Sequence, residues 1–131
     1  RILLVVPTYK PEWEIPGGTV EENESPKDAC IREISEELGT ELRIGNLLTL
    51  DYRAEDDNGT ELLIFLFDGG VLDESTIARI ALPEDELAGF HFVTPQEAQH
   101  QLIPALYQLV INGLSQRLNR STLYTERLTA A

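Results

Sequence analysis

The apolar positions of this chain begin as an unbroken run, Ile2 to Val6, which predicts a buried strand. Pro7 to Glu12 reads as a loop carrying Tyr9 and Lys10. Trp13 to Val20 reads as extended, interrupted at Pro16-Gly17-Gly18. The period then changes to that of a helix, with Ala29, Cys30, Ile34 and Leu38 forming an apolar stripe. Ser25 is a good N-cap, Pro26 suits the first helical position, and Gly39 is a C-terminal stop, so the helix runs from Pro26 to Leu38. Leu42 to Arg53 is a strand region broken near Gly45-Asn46, and Thr60 to Phe67 is the returning strand. Asn58-Gly59 between them signals a hairpin. Val71 to Leu87 is a connection with a short strand at Ile77 to Ala81, and Gly89 to Val93 is another short strand. Thr94-Pro95-Gln96-Glu97 opens a helix, and Pro104 separates it from a longer one, Ile103 to Leu118. Arg120 to Ala131 reads as a frayed or partner-dependent end. Strands mixed with two helical regions predict a single α/β domain over residues 1–131, a sandwich with helices on both faces.

Charge narrows the function classes. The net charge is -13, which argues against a duplex nucleic-acid surface and against an anionic membrane. No apolar run approaches a membrane span. Cys30 is the one cysteine, so no internal disulfide can form, and the chain is compatible with a reducing cytoplasm. Its place in the apolar stripe favours a buried thiol over a nucleophile. The sequence starts at Arg1 and contains no Met, which suggests that a native N-terminus precedes it.

The chemistry concentrates between Gly18 and Thr40, GTVEENESPKDACIREISEELGT. Glu33, Glu36 and Glu37 fall at i, i+3 and i+4 and share one helix face. They crowd the C-terminal half of the helix, where the macrodipole disfavours anions. A cation offsets that repulsion, and oxygen-only ligands point to Mg²⁺ or Mn²⁺ rather than zinc. Arg32 can pair with Glu24 and so fix the preceding loop to the helix. The bland alternative is a solvated acidic face, which leaves the spacing of Gly18, Glu24, Arg32 and Gly39 unexplained.

That spacing resembles the Nudix box, G-x5-E-x7-R-E-U-x-E-E-x-G-U, with U a bulky aliphatic residue; Thr40 at the last position is the one departure. Trp13-Glu14-Ile15-Pro16-Gly17-Gly18 is similar to the family's lead-in, and Gly89 to Glu97 to its later strand and helix start. The resemblance implies a Nudix-type α/β/α sandwich with a mixed β-sheet between helices. It also implies a strand before Ile2, which the sequence does not contain. By the same resemblance Glu33, Glu36 and Glu37 bind the metal with the Gly18 carbonyl, these glutamates and Arg32 form the catalytic set, and Glu24, Arg32 and Gly39 brace the box. The implied reaction is metal-dependent hydrolysis of a nucleoside diphosphate linked to another group, with water attacking phosphorus. The proton acceptor stays open among Glu36, Glu37, Glu84, Asp85, Glu86 and Glu97.

Substrate markers are missing. The ADP-ribose type carries a proline about fifteen residues beyond the box, which here falls at Glu55 or Asp56, and Tyr52 comes too early for the dinucleoside polyphosphate marker. Lys10, Tyr52 and Arg53 are candidates for contacting phosphate or stacking on a base. The expected partner is a phosphorylated small molecule, and the resemblance allows a homodimer. The rival is a non-catalytic Nudix-like module that senses a nucleotide or ADP-ribose; such modules lose box carboxylates, and none is lost here.

Overall fold

The computed structural model describes residues 1–128, in the order β1 (Ile2–Pro7), α1 (Pro26–Leu38), β2 (Leu47–Arg53), β3 (Leu62–Phe67), α2 (Glu74–Ala78), β4 (Leu87–Val93), α3 (Pro95–Gln101), α4 (Pro104–Asn119) and β5 (Leu123–Arg127). Backbone contacts divide them into two units, residues 1–44 with 69–107, and residues 45–68 with the chain from Gln108 on.

In the first unit, β1 buries Leu4 and Val5 and pairs antiparallel with β4, Ile2 opposite Val93. α3 packs against both strands. The extended stretch expected over Trp13 to Val20 is reduced to one bridge. Val5 and Glu14 exchange backbone hydrogen bonds of 2.8 and 3.0 Å, and Pro16, which has no N–H, then takes the chain out of pairing. Trp13 stacks on His91 with ring centroids 4.8 Å apart, which gives both rings a structural role.

α1 matches its predicted bounds because both ends are capped. Ser25 Oγ accepts from the Asp28 N–H at 3.1 Å, and Gly39 adopts φ 65°, its N–H donating to the Ser35 carbonyl at 3.0 Å. A Cβ at Gly39 would run into the Ala81 carbonyl, and the Ala81 N–H donates to the Leu38 carbonyl at 2.8 Å. Ala29, Ile34 and Leu38 are buried; Cys30 is half-buried, and that burial pushes its thiol pKa up. The strand expected at Ile77 to Ala81 is absent. Asp73 caps a helix instead, its carboxylate accepting from the Thr76 N–H at 2.8 Å and the Ser75 hydroxyl at 3.1 Å. That cap outweighs the β-branched residues that follow.

In the second unit, β2 is the central strand, antiparallel to β3 and parallel to β5. The mixed pairing expected of the fold lies in this sheet. The β2–β3 connection is longer than a two-residue turn. Asp56 organises it, its carboxylate accepting from the N–H groups of Asn58 and Thr60, both at 2.9 Å, with Gly59 at φ 74°. α4 covers the sheet closely at Gly113, where a Cβ would press on Leu66 and reach Leu48. The frayed end expected from Arg120 is in part a strand, because β5 pairs along the whole of Thr49 to Arg53; residues 129–131 of that stretch lie outside the described ones. Thr49 is fully buried, and its hydroxyl has no hydrogen-bond partner among the described residues.

Gly39→Ala should lower stability by about 1–3 kcal/mol, because it forces a side chain into the left-handed region and against backbone. Urea unfolding measures this, and an unchanged midpoint would show that the cap does not hold the helix end.

Candidate active site

The first unit gathers the box residues around one guanidinium. Arg32 uses all five of its N–H donors. Nε and Nη2 hold the two oxygens of Glu24 at 2.7 and 2.9 Å, and Nη2 also reaches the Thr19 carbonyl at 3.0 Å. Nη1 donates to Glu33 at 2.8 Å and to Glu36 at 3.4 Å. The Arg32–Glu24 pair predicted from spacing is therefore present and bidentate, a geometry that suits a guanidinium and a carboxylate. Hydrogen bonding from Arg32, with help from the Glu21 N–H, pulls the Glu24 pKa down to about 2. The acceptors Glu24 and Glu33 push that of Arg32 up.

The three glutamates expected on one face are divided between two partners. Glu33 and Glu36 turn to Arg32, while Glu37 Oε2 accepts from the Gly17 N–H at 2.7 Å. Glu37 is half-buried. Burial first, and then the charges of Glu33, Glu86 and Glu14, raise its pKa to about 7 against the pull of that N–H. In this arrangement no three acidic, histidine or cysteine side chains among the described residues are gathered tightly enough to hold an ion. The guanidinium satisfies two of the carboxylates that a cation would claim.

The donor set nevertheless fits a hard divalent cation. All the side chains concerned are carboxylates, and the backbone is close enough to take part. A Cβ on Gly18 would overlap the Glu33 carboxylate, so only glycine leaves that approach open. The negative charge focused on Glu37 is what a bound cation relieves.

Two carboxylates join the box from outside. Glu86 was one of several candidates along the sequence, and its charge acts on Glu37. Glu14 was not singled out. Its backbone is pinned to Val5, its carboxylate is bonded by Lys10, and its charge also acts on Glu37. The signal was its place in the Trp13-to-Gly18 lead-in, which spacing alone does not connect with Glu37. Lys10 is raised in pKa mainly by its bond to Glu14. Glu97 is occupied in the capping box of α3, accepting from the Thr94 hydroxyl at 3.0 Å.

The remaining candidates belong to the second unit. Tyr52 donates its hydroxyl to Glu61 at 2.6 Å, and Arg53 Nε donates to Asp51 at 3.0 Å. That unit also contains a cleft of about 550 Å³ lined by Asn46, Asp68, Arg117, Arg120 and Thr122 among others, and by no box residue.

The chain belongs to the Nudix hydrolase family: the NUDIX domain family model matches residues 1–112. It is 47% identical over 36 residues to the 8-oxo-dGTP diphosphatase of Proteus vulgaris, covering 28% of this chain and 32% of that protein. It is 42% identical over 49 residues to the human diphosphoinositol polyphosphate phosphohydrolase 2, covering 37% of this chain and 27% of that protein. The match thus spans about a third or less of the length of these relatives. Among solved structures, the ORF135 protein of E. coli superposes with a TM-score of 0.69 at 26% identity, covering 90% of this chain and 82% of that one. The mixed α/β architecture is accordingly a Nudix fold.

The Glu37 shift has a measurable consequence. Unfolded, the carboxyl has its ordinary value of 4.5; folded and without metal, about 7. As pH rises through that window, the folded state retains a proton that the unfolded state has released, so stability falls, and the penalty is complete above the folded value. In EDTA, Glu37→Gln should match the parent near pH 4 and exceed it by roughly 1 kcal/mol at pH 8, a figure discounted for partial exposure. Urea unfolding at both pH values checks this. An equal difference at both would show that the carboxyl is not strained.

Proposed function

We propose that this chain hydrolyses a phosphoanhydride in a nucleoside diphosphate-linked substrate, in a reaction that depends on Mg²⁺ or Mn²⁺. The observation that carries the reading is the geometry of the box: Glu37 held on the Gly17 N–H, Glu33 and Glu36 on Arg32, and a Gly18 backbone whose approach to Glu33 admits no side chain. Glu33, Glu36, Glu37 and the Gly18 carbonyl are the ligand set. The bound metal supplies Lewis acidity towards the phosphoryl oxygens and lowers the pKa of a coordinated water.

The chain's own residues do the rest. Glu24 and the Thr19 carbonyl hold Arg32 through Nε and Nη2, so these anchors stay when Glu33 and Glu36 turn from Nη1 to a cation. Arg32 then carries a free donor beside the developing negative charge at phosphorus. Glu36, Glu37 and Glu86 are the groups placed to take the proton of the attacking water. Lys10, held by Glu14, is the cation offered to a substrate phosphate. The family match runs through both units, which supports reading them as one domain. A chain with one cysteine and so no internal disulfide suits a reducing compartment, and we place the enzyme in the cytoplasm. The relatives' names widen the substrate class to oxidised nucleoside triphosphates and inositol pyrophosphates, which share a phosphoanhydride bond.

The test is a panel of nucleoside triphosphates and their oxidised forms, ADP-ribose, dinucleoside polyphosphates, NADH, nucleotide sugars and a diphosphoinositol polyphosphate, with Mg²⁺ and with Mn²⁺. At least one should release a phosphate-containing product. Glu36→Gln and Gly18→Ala should each cut turnover by about a hundredfold or more while the melting temperature holds. Metal binding without turnover on any member would sink the hydrolase reading and leave the sensing module.

A further inference from the structure

The central sheet of the second unit carries a second charged arrangement, on the opposite sign of the box. Along β2, Thr49, Asp51 and Arg53 alternate onto one face. Asp51 is 8% exposed, which is rare for a carboxylate without partners. Both its oxygens are engaged. Oδ1 accepts from the Thr125 hydroxyl on β5 at 2.7 Å, and Oδ2 accepts from Arg53 Nε at 3.0 Å. Thr125 is the register partner of Asp51, so their bond fixes which face of β5 is shared. Two residues on, the same register places Arg127 beside Arg53 on that face.

Two guanidiniums side by side repel, and like charges at register positions cost stability. Asp51 offsets only one of them. Its bond takes Nε of Arg53 and orients the fork, leaving both Nη atoms without a hydrogen-bond partner among the described residues. Arg53 is part-buried, its side chain 18% exposed, and the bond to Asp51 orients it. Arg127 is exposed and likewise has no ion pair among the described residues. In a chain of net charge -13, two adjacent arginines that share one carboxylate keep a local positive excess that a bound anion resolves.

We propose that Arg53 and Arg127 form a fork for a phosphoryl group of a polyphosphate, and that Asp51 and Thr125 are the positioning residues that aim it. A guanidinium offers two parallel N–H donors to two phosphoryl oxygens, and a lysine at the same place offers only a point charge. The acidic hairpin, Glu55, Asp56 and Asp57, follows β2 directly and disfavours anions, which sets the affinity low. The ligand this chemistry takes is a free polyphosphate, bound within the second unit.

The experiment is calorimetric titration with inorganic triphosphate in EDTA at low salt, so that the box cannot contribute through a metal. The parent protein should bind saturably, and the affinity should fall steeply with salt. Arg53→Lys and Arg127→Ala should each weaken binding about tenfold. Thr125→Val should weaken it about threefold and Thr125→Ser should restore it, which a purely structural role for that position would not produce. Glu37→Gln should leave it intact. No saturable binding, or binding that survives Arg53→Lys and Arg127→Ala, overturns the proposal, whatever the outcome of the hydrolysis panel.

Discussion

Everything at the box depends on how Arg32 is fixed. Glu24 takes two of its donors and Thr19 a third, all from the loop before the helix. The helix supplies the arginine itself and, through Nη1, the link to Glu33 and Glu36. Without that guanidinium, the C-terminal half of α1 would hold three carboxylates against the helix dipole, with further negative charge from Glu14 and Glu86. The loop, the helix and the acidic face are therefore one electrostatic unit. Its anchors on the loop side are separate from its contacts on the ligand side, so the loop can stay ordered while the glutamates change partners.

The local elements were legible where the deciding interaction is local. α1 is bounded by Ser25 and Gly39, and α3 by a Thr94–Glu97 capping box, all visible as residue types at fixed offsets. Ile2 to Val6 announced β1 by composition alone. The failures have a common cause. β5 is a short polar segment whose pairing with β2 is a tertiary fact that no local pattern encodes. α2 shows the reverse case. The apolar residues Ile77, Ile80 and Ala81 suggested a strand, but the Asp73 cap, a local signal that was passed over, decides the outcome.

The site divides the same way. Gly18, Glu24, Arg32 and the three glutamates stand at a spacing that could be read directly. The partition of those glutamates between Arg32 and Gly17 could not, because it turns on side-chain rotamers and on which carboxylate is driven into low dielectric. No local pattern marks Glu14, because its relevance comes from the bridge to Val5, a contact that exists only once β1 is in place. Asp51 looked like one acidic residue among many until the β5 register put a hydroxyl against it.

The position of β5 bears on where the folding unit ends. The family match stops at residue 112, yet β5 spans Leu123–Arg127. A chain cut where the match stops would strip β2 of its parallel neighbour and leave Asp51 without the Thr125 hydroxyl. It would also turn the central strand of that sheet into a bare edge, with a row of unpaired backbone donors and acceptors ready to recruit another chain. Family boundaries mark what relatives share; here a strand that keeps the central strand paired on both sides lies beyond them.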